Sequence, residues 1–366
     1  MKKAYTAAAG LLALVLCLTA ALASGGSDQD PLISLSYLEG AFSQSVDAAV
    51  DSRLDEWDRQ VAASMERQLD AMGSGQVDGT ASEADLKEGD VLAGSTGLAV
   101  TPLAGEVRLE IASGVVVDAT EGMEVPGGTV LDANHLYIVA EGSSASFVVD
   151  SPTAVLSYQG GGVLSLSYGA PDYYAIARAL RQLGLFRGTG SGIGEGFDLH
   201  LAPTRGEGLV MFIRILGEED QAMAWTGEHP FTDVPAWLDP YVAWAWERGY
   251  TNGVSETIFG GGEALTPQAY MEFLLRALGY SVAGIHDYTT SLDRALDCGA
   301  LTAGEARMLA AEPFLRCHVA YVSWYSLDTL VSGSGQTLAQ RLEDAGLFTA
   351  DELAAARSGV TSLRLS

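Results

Sequence analysis

Residues 230–281 read PFTDVPAWLDPYVAWAWERGYTNGVSETIFGGGEALTPQAYMEFLLRALGYS, a pattern that predicts two helices joined by a glycine-rich connection. Asp239-Pro240 places a helix-capping residue before a proline at the first helical position. Gly249 is a residue type that commonly ends helices, because its backbone adopts positive φ without strain. Thr266-Pro267 opens the second helix, whose apolar residues recur at helical spacing up to a second stop at Gly279.

The same plan appears upstream at a constant distance in the sequence. The segment from Thr204 to Gly217 has the same length as that from Thr266 to Gly279. Equivalent residues of the two segments are 62 residues apart, which is the repeat distance. A degenerate third copy follows. We define copies one, two and three as residues 172–223, 230–281 and 287–348. A period of this size is typical of stacked units that share one core.

Several of these residues resemble motifs of the S-layer homology (SLH) family. The segment Thr204-Arg205-Gly206-Glu207 is similar to the family's TRAE signature. The other residues that carry the resemblance are Phe231, Thr232, Asp233, Val234, Trp237, Gly249, Gly253 and Phe259. The resemblance covers residues 172–348 and implies three repeats in a pseudo-threefold helical domain. It also implies binding of secondary cell-wall polysaccharide and retention of the protein on a bacterial envelope.

The charge of the chain excludes some partners. Its 366 residues include 20 Lys+Arg against 47 Asp+Glu, a net charge of −27. Duplex nucleic acid is therefore a poor partner, since phosphate binding needs a basic face. Anionic membrane surfaces are disfavoured for the same reason. An acidic surface suits an exported protein that must stay soluble.

The start of the chain predicts export. Lys2-Lys3 precedes an apolar run over residues 4–18, and Ala21-Leu22-Ala23 forms a small-residue cleavage pattern. Residues 1–23 are therefore predicted to be a secretory signal peptide, because the apolar run is too short for a membrane span. After cleavage, no second apolar stretch is expected to hold the protein in a membrane.

Residues 31–72 carry apolar side chains at steps of three or four, which predicts one long amphipathic helix. A single helix cannot bury its own apolar stripe. It must therefore pack on the rest of the chain or form a homo-oligomer, and both alternatives remain open. Residues 73–90 are rich in Gly, Ser, Asp and Glu, a composition typical of a linker.

Residues 91–170 change to a period of two. Val107, Leu109 and Ile111, for example, alternate with charged neighbours. Seven or eight such short strands predict a small all-β sandwich or barrel. The predicted fold class is thus multidomain α+β, with an N-terminal amphipathic helix, a β-domain and an all-α repeat domain. Residues 349–366 are predicted to begin as a short helix and then fray.

The start of the second helix in each copy is the main candidate for binding chemistry. Thr204 and Glu207 fit a capping box. Arg205 lies in the first turn, where the partial positive charge of the helix end makes a cation unfavourable. Free backbone N–H groups and a guanidinium would form an anion site, and the carboxylate of an acidic sugar would offset that cost. Arg316 has the corresponding place in copy three. Either arginine could instead be a surface residue held by an ion pair.

Other candidate glycan contacts lie in the connections. Asp233 is either a ligand contact or a turn and cap residue. Trp237 and Trp244 are the candidates for stacking on sugar rings, whereas Trp246 is expected in the core. Gly188 and Gly253 fit helix-end glycines that also let the backbone approach a ligand.

No sequence motif indicates an enzyme, since HExxH, GxSxG, Walker A and EF-hand patterns are absent. The five histidines are scattered without ligand spacing, so no metal or cofactor is expected. Cys298 and Cys317 both lie in copy three. They are either two small buried residues or an inter-helix disulfide.

Together these patterns predict a secreted, non-catalytic protein of the cell wall or cell surface. We expect it to anchor non-covalently to an anionic secondary cell-wall polysaccharide through its repeats. The alternative is a structural scaffold of the envelope whose repeats bind a protein partner instead of glycan.

Overall fold

The structure is a computed structural model that describes residues 80–280, 288–310 and 313–366. These residues form an α+β protein in which antiparallel sheets precede helices. Within those ranges, no helix is long and apolar enough to cross a membrane. The predicted signal peptide (1–23) and amphipathic helix (31–72) lie outside the described residues.

Ten β-strands occupy the first part of the described chain. They are β1 (Ser82–Lys87), β2 (Val91–Ser95), β3 (Ala99–Ala104), β4 (Val107–Ser113), β5 (Val116–Asp118), β6 (Met123–Val125), β7 (Tyr137–Val139), β8 (Ser144–Val149), β9 (Thr153–Gln159) and β10 (Gly162–Ser165). Hydrogen bonds join them into a six-stranded sheet of order β1-β9-β3-β7-β5-β6 and a four-stranded sheet of order β10-β2-β8-β4. Neighbouring strands are antiparallel throughout.

The two sheets share one apolar core, which accounts for the alternation in the sequence. Leu109 on β4 and Phe147 on β8 are buried with Leu156, which lies on β9 of the other sheet. Successive residues of a strand point to opposite faces, so Arg108 and Glu110 lie on the more exposed side of β4. The arrangement is a sandwich rather than a closed barrel.

The linker predicted at 73–90 is wrong for residues 82–87. These residues form β1, which pairs along its whole length with β9. Ala84 and Leu86 are buried in the sandwich core. Their alternation is short and lies among acidic residues and glycines, so composition alone indicated a linker. Short strands of this kind also raise the number in the described residues above the seven or eight expected.

Ten α-helices follow in the described residues. They are α1 (Tyr173–Gln182), α2 (Arg205–Ile215), α3 (Glu219–Met223), α4 (Asp239–Glu247), α5 (Pro267–Ala277), α6 (Ser291–Asp297), α7 (Ala303–Leu309), α8 (Arg316–Ser326), α9 (Leu338–Asp344) and α10 (Ala350–Ser358). The first helices of copies one, two and three are α1, α4 and α6. The second helices are α2, α5 and α8.

The second helices of the three copies contact one another. α2 contacts both α5 and α8. The Tyr270 hydroxyl of α5 lies 2.7 Å from Ser323 Oγ of α8. Each first helix packs on a second helix of another copy, with α4 on α2, α6 on α5 and α1 on α8. One continuous apolar core therefore runs through all three copies.

Local signals set the ends of α4, although not all as predicted. The helix stops before Gly249, whose φ is +68°. The N–H of Gly249 donates to the carbonyl of Trp246, and that of Tyr250 donates to the carbonyl of Ala245, a Schellman cap. At the other end, Asp239 is the first helical residue and makes no capping hydrogen bond, so the prediction that it caps α4 is wrong.

The sandwich and the helices belong to one compact unit. Arg178 on α1 connects them, because its Nη2 donates to Asp85 Oδ2 of β1 at 2.8 Å and its Nε donates to Glu195. The N–H of Gly194 donates to Glu83 Oε1 at 3.2 Å. Desolvation at this contact raises the pKa of Asp85, although Arg178 opposes the shift.

The prediction that the chain frays after its last helix is wrong. α10 ends at Ser358 as a regular helix. Beyond it, Val360 and Leu365 pack against the apolar core of the helices. The sequence offered no helix or strand pattern there, and the contacts depend on tertiary packing.

Asp118 and His135 link the end of β5 to the segment that precedes β7. His135 Nδ1 lies 2.8 Å from Asp118 Oδ2. The other oxygen of Asp118 accepts the N–H groups of Thr120 and Glu121 at 2.8 and 3.1 Å. Desolvation opposes ionisation of Asp118, but these hydrogen bonds outweigh it and lower its pKa. The hydrogen bond to Asp118 raises the pKa of His135.

We expect His135→Gln to remove a pH-dependent contribution to the stability of the sandwich. The folded pKa of His135 lies above its ordinary value of 6.5, so the pair stabilises fully below pH 6.5 and less as the pH rises through the folded value. The contribution also fades as the pH falls below 3.8 towards the lowered pKa of Asp118. Amide protection factors of β5–β7 should therefore differ between wild type and variant at about pH 5 and converge at about pH 9. An equal difference at both pH values would contradict a charge-based role.

Candidate functional site

Arg205, from the TRAE-like segment, is buried between copies one and two. It is only 3% exposed. Its Nε donates to the carbonyl of Phe259 at 3.0 Å, and its Nη2 donates to the hydroxyl of Tyr288 at 3.1 Å. The guanidinium carbon lies 5.0–5.2 Å from the ring centroids of Phe259, Phe273 and Tyr288. At such distances a cation is attracted to an aromatic face.

Arg316 repeats this arrangement between copies three and one. It is 6% exposed, and its Nε donates to the carbonyl of Phe197 at 3.0 Å. Its guanidinium carbon lies 5.7 Å from the ring centroid of Phe186. The acceptor carbonyls of Phe197 and Phe259 are 62 residues apart, which is the repeat distance in the sequence.

The backbone at the start of α2 is bonded to copy two. The N–H of Arg205 donates to the carbonyl of Glu263 at 2.8 Å, and that of Gly206 donates to the carbonyl of Gly261 at 2.9 Å. The loop of copy two therefore lies directly across this helix start, and it accepts two N–H groups that have no partner within the helix.

The backbone at the start of α8 is bonded to copy one in the same way. The N–H groups of Arg316 and Cys317 donate to the carbonyls of Leu201 and Leu199 at 2.9 and 3.0 Å. These acceptors again precede those in copy two by 62 residues. Two junctions thus share one set of four contacts: a guanidinium–carbonyl bond, a cation–aromatic contact and two backbone bonds.

These contacts correct two expectations about the arginines. The helix-start N–H groups expected to be free for an anion are already bonded. The surface ion pair expected as the alternative is wrong too, because no carboxylate of the described residues forms an ion pair with Arg205 or Arg316. Burial lowers the pKa of both guanidinium groups. Carboxylates of the described residues favour the charged forms without forming an ion pair, Glu263 acting on Arg205 and Glu207 and Asp198 acting on Arg316.

Copy two supplies no equivalent arginine. α5 begins with Pro267, which follows the N-cap Thr266. The Thr266 hydroxyl accepts the N–H of Ala269 at 3.1 Å. Proline has no N–H and no charge, so the third junction lacks the guanidinium and one of the backbone donors.

The predicted capping box at α2 is confirmed. The N–H of Thr204 donates to Glu207 Oε2 at 2.7 Å, and the N–H of Glu207 donates to Thr204 Oγ1 at 3.3 Å. Both side chains therefore cap the N-terminal end of α2. They hold Arg205 at the first helical position, and the cap alone accounts for where both side chains lie.

Asp233 bonds the backbone of a loop 26 residues away, so the local turn and cap role predicted for it is wrong. Its Oδ1 accepts the N–H of Phe259 and its Oδ2 accepts the N–H of Gly260, both at 2.8 Å. Desolvation opposes ionisation, but these backbone hydrogen bonds lower the pKa of Asp233. Asp233 thus fixes the same loop whose Phe259 carbonyl accepts Arg205.

The tryptophans are exposed in a different order from the one predicted. Trp237 is 57% exposed, as expected. Trp244 is only 5% exposed, because its Nε1 donates to Glu218 Oε2 at 2.8 Å and its ring meets Trp225 edge-on at 5.3 Å. Trp246, expected in the core, is 38% exposed. Residues around α3 cover Trp244, and the spacing of residues along α4 does not indicate that contact.

Gly188 and Gly253 are loop glycines rather than helix-end glycines. A Cβ on Gly188 would lie 2.0 Å from the carbonyl oxygen of Gly196. Gly253 has φ +69°, and a Cβ there would lie 2.5 Å from the carbonyl oxygen of Ile258. In each loop the glycine lets two backbone segments approach closely, so its presence is already explained without a ligand.

Two residues of the junctions escaped the sequence analysis. Tyr288 accepts the bond from Arg205 and donates to the carbonyl of Gly253 at 2.6 Å. Arg187 carries an exposed side chain 3.3 Å from Glu219 Oε2, and its carbonyl accepts Arg316 Nη2 at 3.4 Å. Neither position belongs to a motif, so no pattern in the sequence indicated them.

No group of three or more His, Cys, Asp or Glu side chains within the described ranges could hold a metal ion. Cys298 and Cys317 are both free, so they do not form the disulfide that was one alternative. Burial raises the pKa of the Cys317 thiol and lowers that of His318 to about 4. Both are therefore neutral near pH 7.

Comparison of the sequence with protein-family models gives no match, and comparison with curated proteins gives none either. The resemblance to the SLH family therefore stays a prediction that rests on the residues themselves.

We expect Arg205→Ala and Arg316→Ala each to lower the free energy of unfolding by about 2–4 kcal/mol. Each change leaves a carbonyl unpaired and a void between aromatic rings. Urea denaturation measures the effect, with Arg187→Ala as the control, because that side chain is exposed and its ion pair is replaceable. Equal stability of Arg205→Ala and Arg187→Ala would contradict a structural role for the junction arginines.

Proposed function

We propose that this protein is a non-catalytic component of a bacterial cell surface. In this proposal, residues 172–348 are three copies of one SLH-like unit arranged around a pseudo-threefold axis. They attach the exported chain non-covalently to an anionic secondary cell-wall polysaccharide. The helix contacts among the copies and the 62-residue spacing of equivalent acceptors support the repeated unit.

One observation carries the proposal, namely that two equivalent junctions each hold a buried guanidinium that forms no ion pair with a carboxylate of the described residues. A buried charge without a counter-charge is energetically costly. The carboxylate of an acidic sugar would supply that counter-charge. Arg205 uses Nε and Nη2 within the protein, which leaves Nη1 without a bonded acceptor among the described residues.

The exposed residue Trp237 is next in sequence to Leu238, a buried residue of the first junction. Leu238 is fully buried, and its side chain occupies the space beside Gly206 and Gly261. Trp237 precedes Leu238 in the sequence, and its side chain is 57% exposed. An exposed indole offers a flat face on which a sugar ring can stack, while its N–H remains able to bond a hydroxyl group.

A protein-interaction scaffold is the second candidate function, and the depth of the arginines favours it. Arg205 and Arg316 are almost completely buried, and a polysaccharide carboxylate would need local opening around Tyr288 to approach Arg205. If the arginines only hold the copies together, the repeats would present their outer faces to a protein partner.

A charge-removing substitution separates the two functions. We expect Arg205→Met together with Arg316→Met to retain a folded protein, because an apolar side chain of similar volume removes the cost of a buried charge. The full-length secreted chain should be captured by wall sacculi that retain their polysaccharide. The double variant should lose about tenfold or more in apparent affinity if the guanidinium groups pair with sugar carboxylates.

Two treatments of the sacculi provide the controls. Acid extraction removes the polysaccharide, and reduction of its carboxylates to alcohols removes only the charge. Capture of the wild-type chain should fail after either treatment. Undiminished capture by extracted sacculi would exclude glycan anchoring and favour the scaffold, and undiminished capture after reduction would exclude the role of the arginines.

We also expect Trp237→Ala to weaken capture without lowering the melting temperature, because the side chain is mostly exposed. Loss of one stacking contact should reduce the affinity by about five- to tenfold. Tyr168→Ala is the matched control, since Tyr168 is a fully exposed aromatic residue outside the three copies. An equal effect of both substitutions would show that Trp237 is not part of the binding surface.

A further inference from the structure

Residues 361–366, with the sequence TSLRLS, lie against copy three and form neither helix nor strand. The N–H of Leu365 donates to the Tyr321 hydroxyl at 2.8 Å. The carbonyl of Leu365 accepts the Thr302 hydroxyl at 2.6 Å, and the carbonyl of Ser366 accepts Arg307 Nη2 at 3.0 Å. Side chains of copy three thus form hydrogen bonds with both an N–H group and two carbonyl groups of the segment.

Arg364 makes polar side-chain contacts with copy three. Its Nε and Nη2 donate to the two carboxylate oxygens of Glu305 at 2.7 and 2.8 Å. Nη2 also donates to the carbonyl of Ala300 at 3.1 Å, and the guanidinium carbon lies 5.1 Å from the ring centroid of Tyr325. Glu305 is completely buried, so Arg364 and Glu305 form a buried bidentate ion pair.

The cleft is shaped for a peptide backbone. A Cβ on Gly304 would lie 2.3 Å from the carbonyl oxygen of Ser366, so only glycine allows the segment to lie this close. Leu363, in contrast, is 88% exposed. Recognition therefore depends on Arg364, on the main chain around it and on Leu365, which packs against the apolar core. The side chain of Leu363 does not take part.

The segment differs from the other arginine-bearing elements in how it is held. Arg205 and Arg316 belong to helices of the central core, so they cannot leave without unfolding it. Arg364 belongs to a segment that forms neither helix nor strand. Such a segment can separate from copy three as a ligand separates from its site. Its departure would leave the buried carboxylate of Glu305 without its counter-ion.

We propose that copy three contains a peptide-binding cleft for a segment that carries an arginine, and that residues 361–366 of this chain occupy it in cis. Glu305 binds the guanidinium, Tyr325 lies against it, and Thr302 and Tyr321 bind the main chain on either side. The site is independent of wall attachment and is distinct from the junctions that hold Arg205 and Arg316.

The test uses the full secreted chain lacking only residues 361–366. The free peptide TSLRLS should bind it with one-to-one stoichiometry and restore its melting temperature. The same peptide with alanine in place of arginine should bind at least about 30-fold more weakly, because a buried carboxylate would be left unpaired. A folded truncated chain that binds neither peptide, or both equally, would overturn the proposal.

A second comparison decides the matter if the truncated chain does not fold. Arg364→Ala and the neighbouring Leu363→Ala are made in the intact chain, and hydrogen exchange is followed at residues 299–309 and 361–366. Arg364→Ala should accelerate exchange by about tenfold or more, because the segment opens more often, while Leu363→Ala should leave it unchanged. The same exchange rates in both variants would show that Arg364 does not hold the segment and would refute the cleft.

Discussion

The arrangement of the helices depends on buried arginines that cross from one copy into the next. At both junctions the guanidinium donates to a carbonyl of the neighbouring loop, while the backbone N–H groups at the helix start donate to carbonyls further along that loop. One helix end therefore fixes three points of a segment that has little regular secondary structure. Glycines and Asp233 then shape the loop so that its carbonyls face the arginine.

The cost of this design is a buried positive charge that no carboxylate of the described residues contacts in an ion pair. The chain carries 47 acidic residues, yet the ion pairs of the described residues involve other cations. Glu263 favours the charged form of Arg205, and Glu207 and Asp198 favour that of Arg316, although none of them forms an ion pair with its arginine. A carboxylate brought to the junction would therefore gain more from Arg205 or Arg316 than from an arginine that is already paired. The same two arginines would thus serve both the packing of the copies and the proposed attachment to an anionic polymer.

The sequence predicts the features that depend on local chemistry or on a period. The threonine caps of α2 and α5, the glycine stop after α4 and the alternating strands all follow from short patterns. The features it did not predict depend on contacts between distant segments. Arg205 is buried because three aromatic rings from copies two and three surround it, and Trp244 is buried because residues around α3 lie across it. β1 was missed because its partner strand, β9, lies about 70 residues away.

The loss of arginine from α5 has a structural counterpart at the end of the sequence. Every copy has a loop after its first helix, and in each case a guanidinium donates to a carbonyl of that loop: Arg205 in copy two, Arg316 in copy one and Arg364 in copy three. The third arginine comes from a segment that forms neither helix nor strand and, unlike the other two, it has a carboxylate partner. Pro267 is tolerated at α5 because its position no longer has to supply the charge. The three loops thus share one requirement, a cation that holds them against the helices, and copy three meets it with a segment outside any helix or strand whose Leu365 also packs on the core.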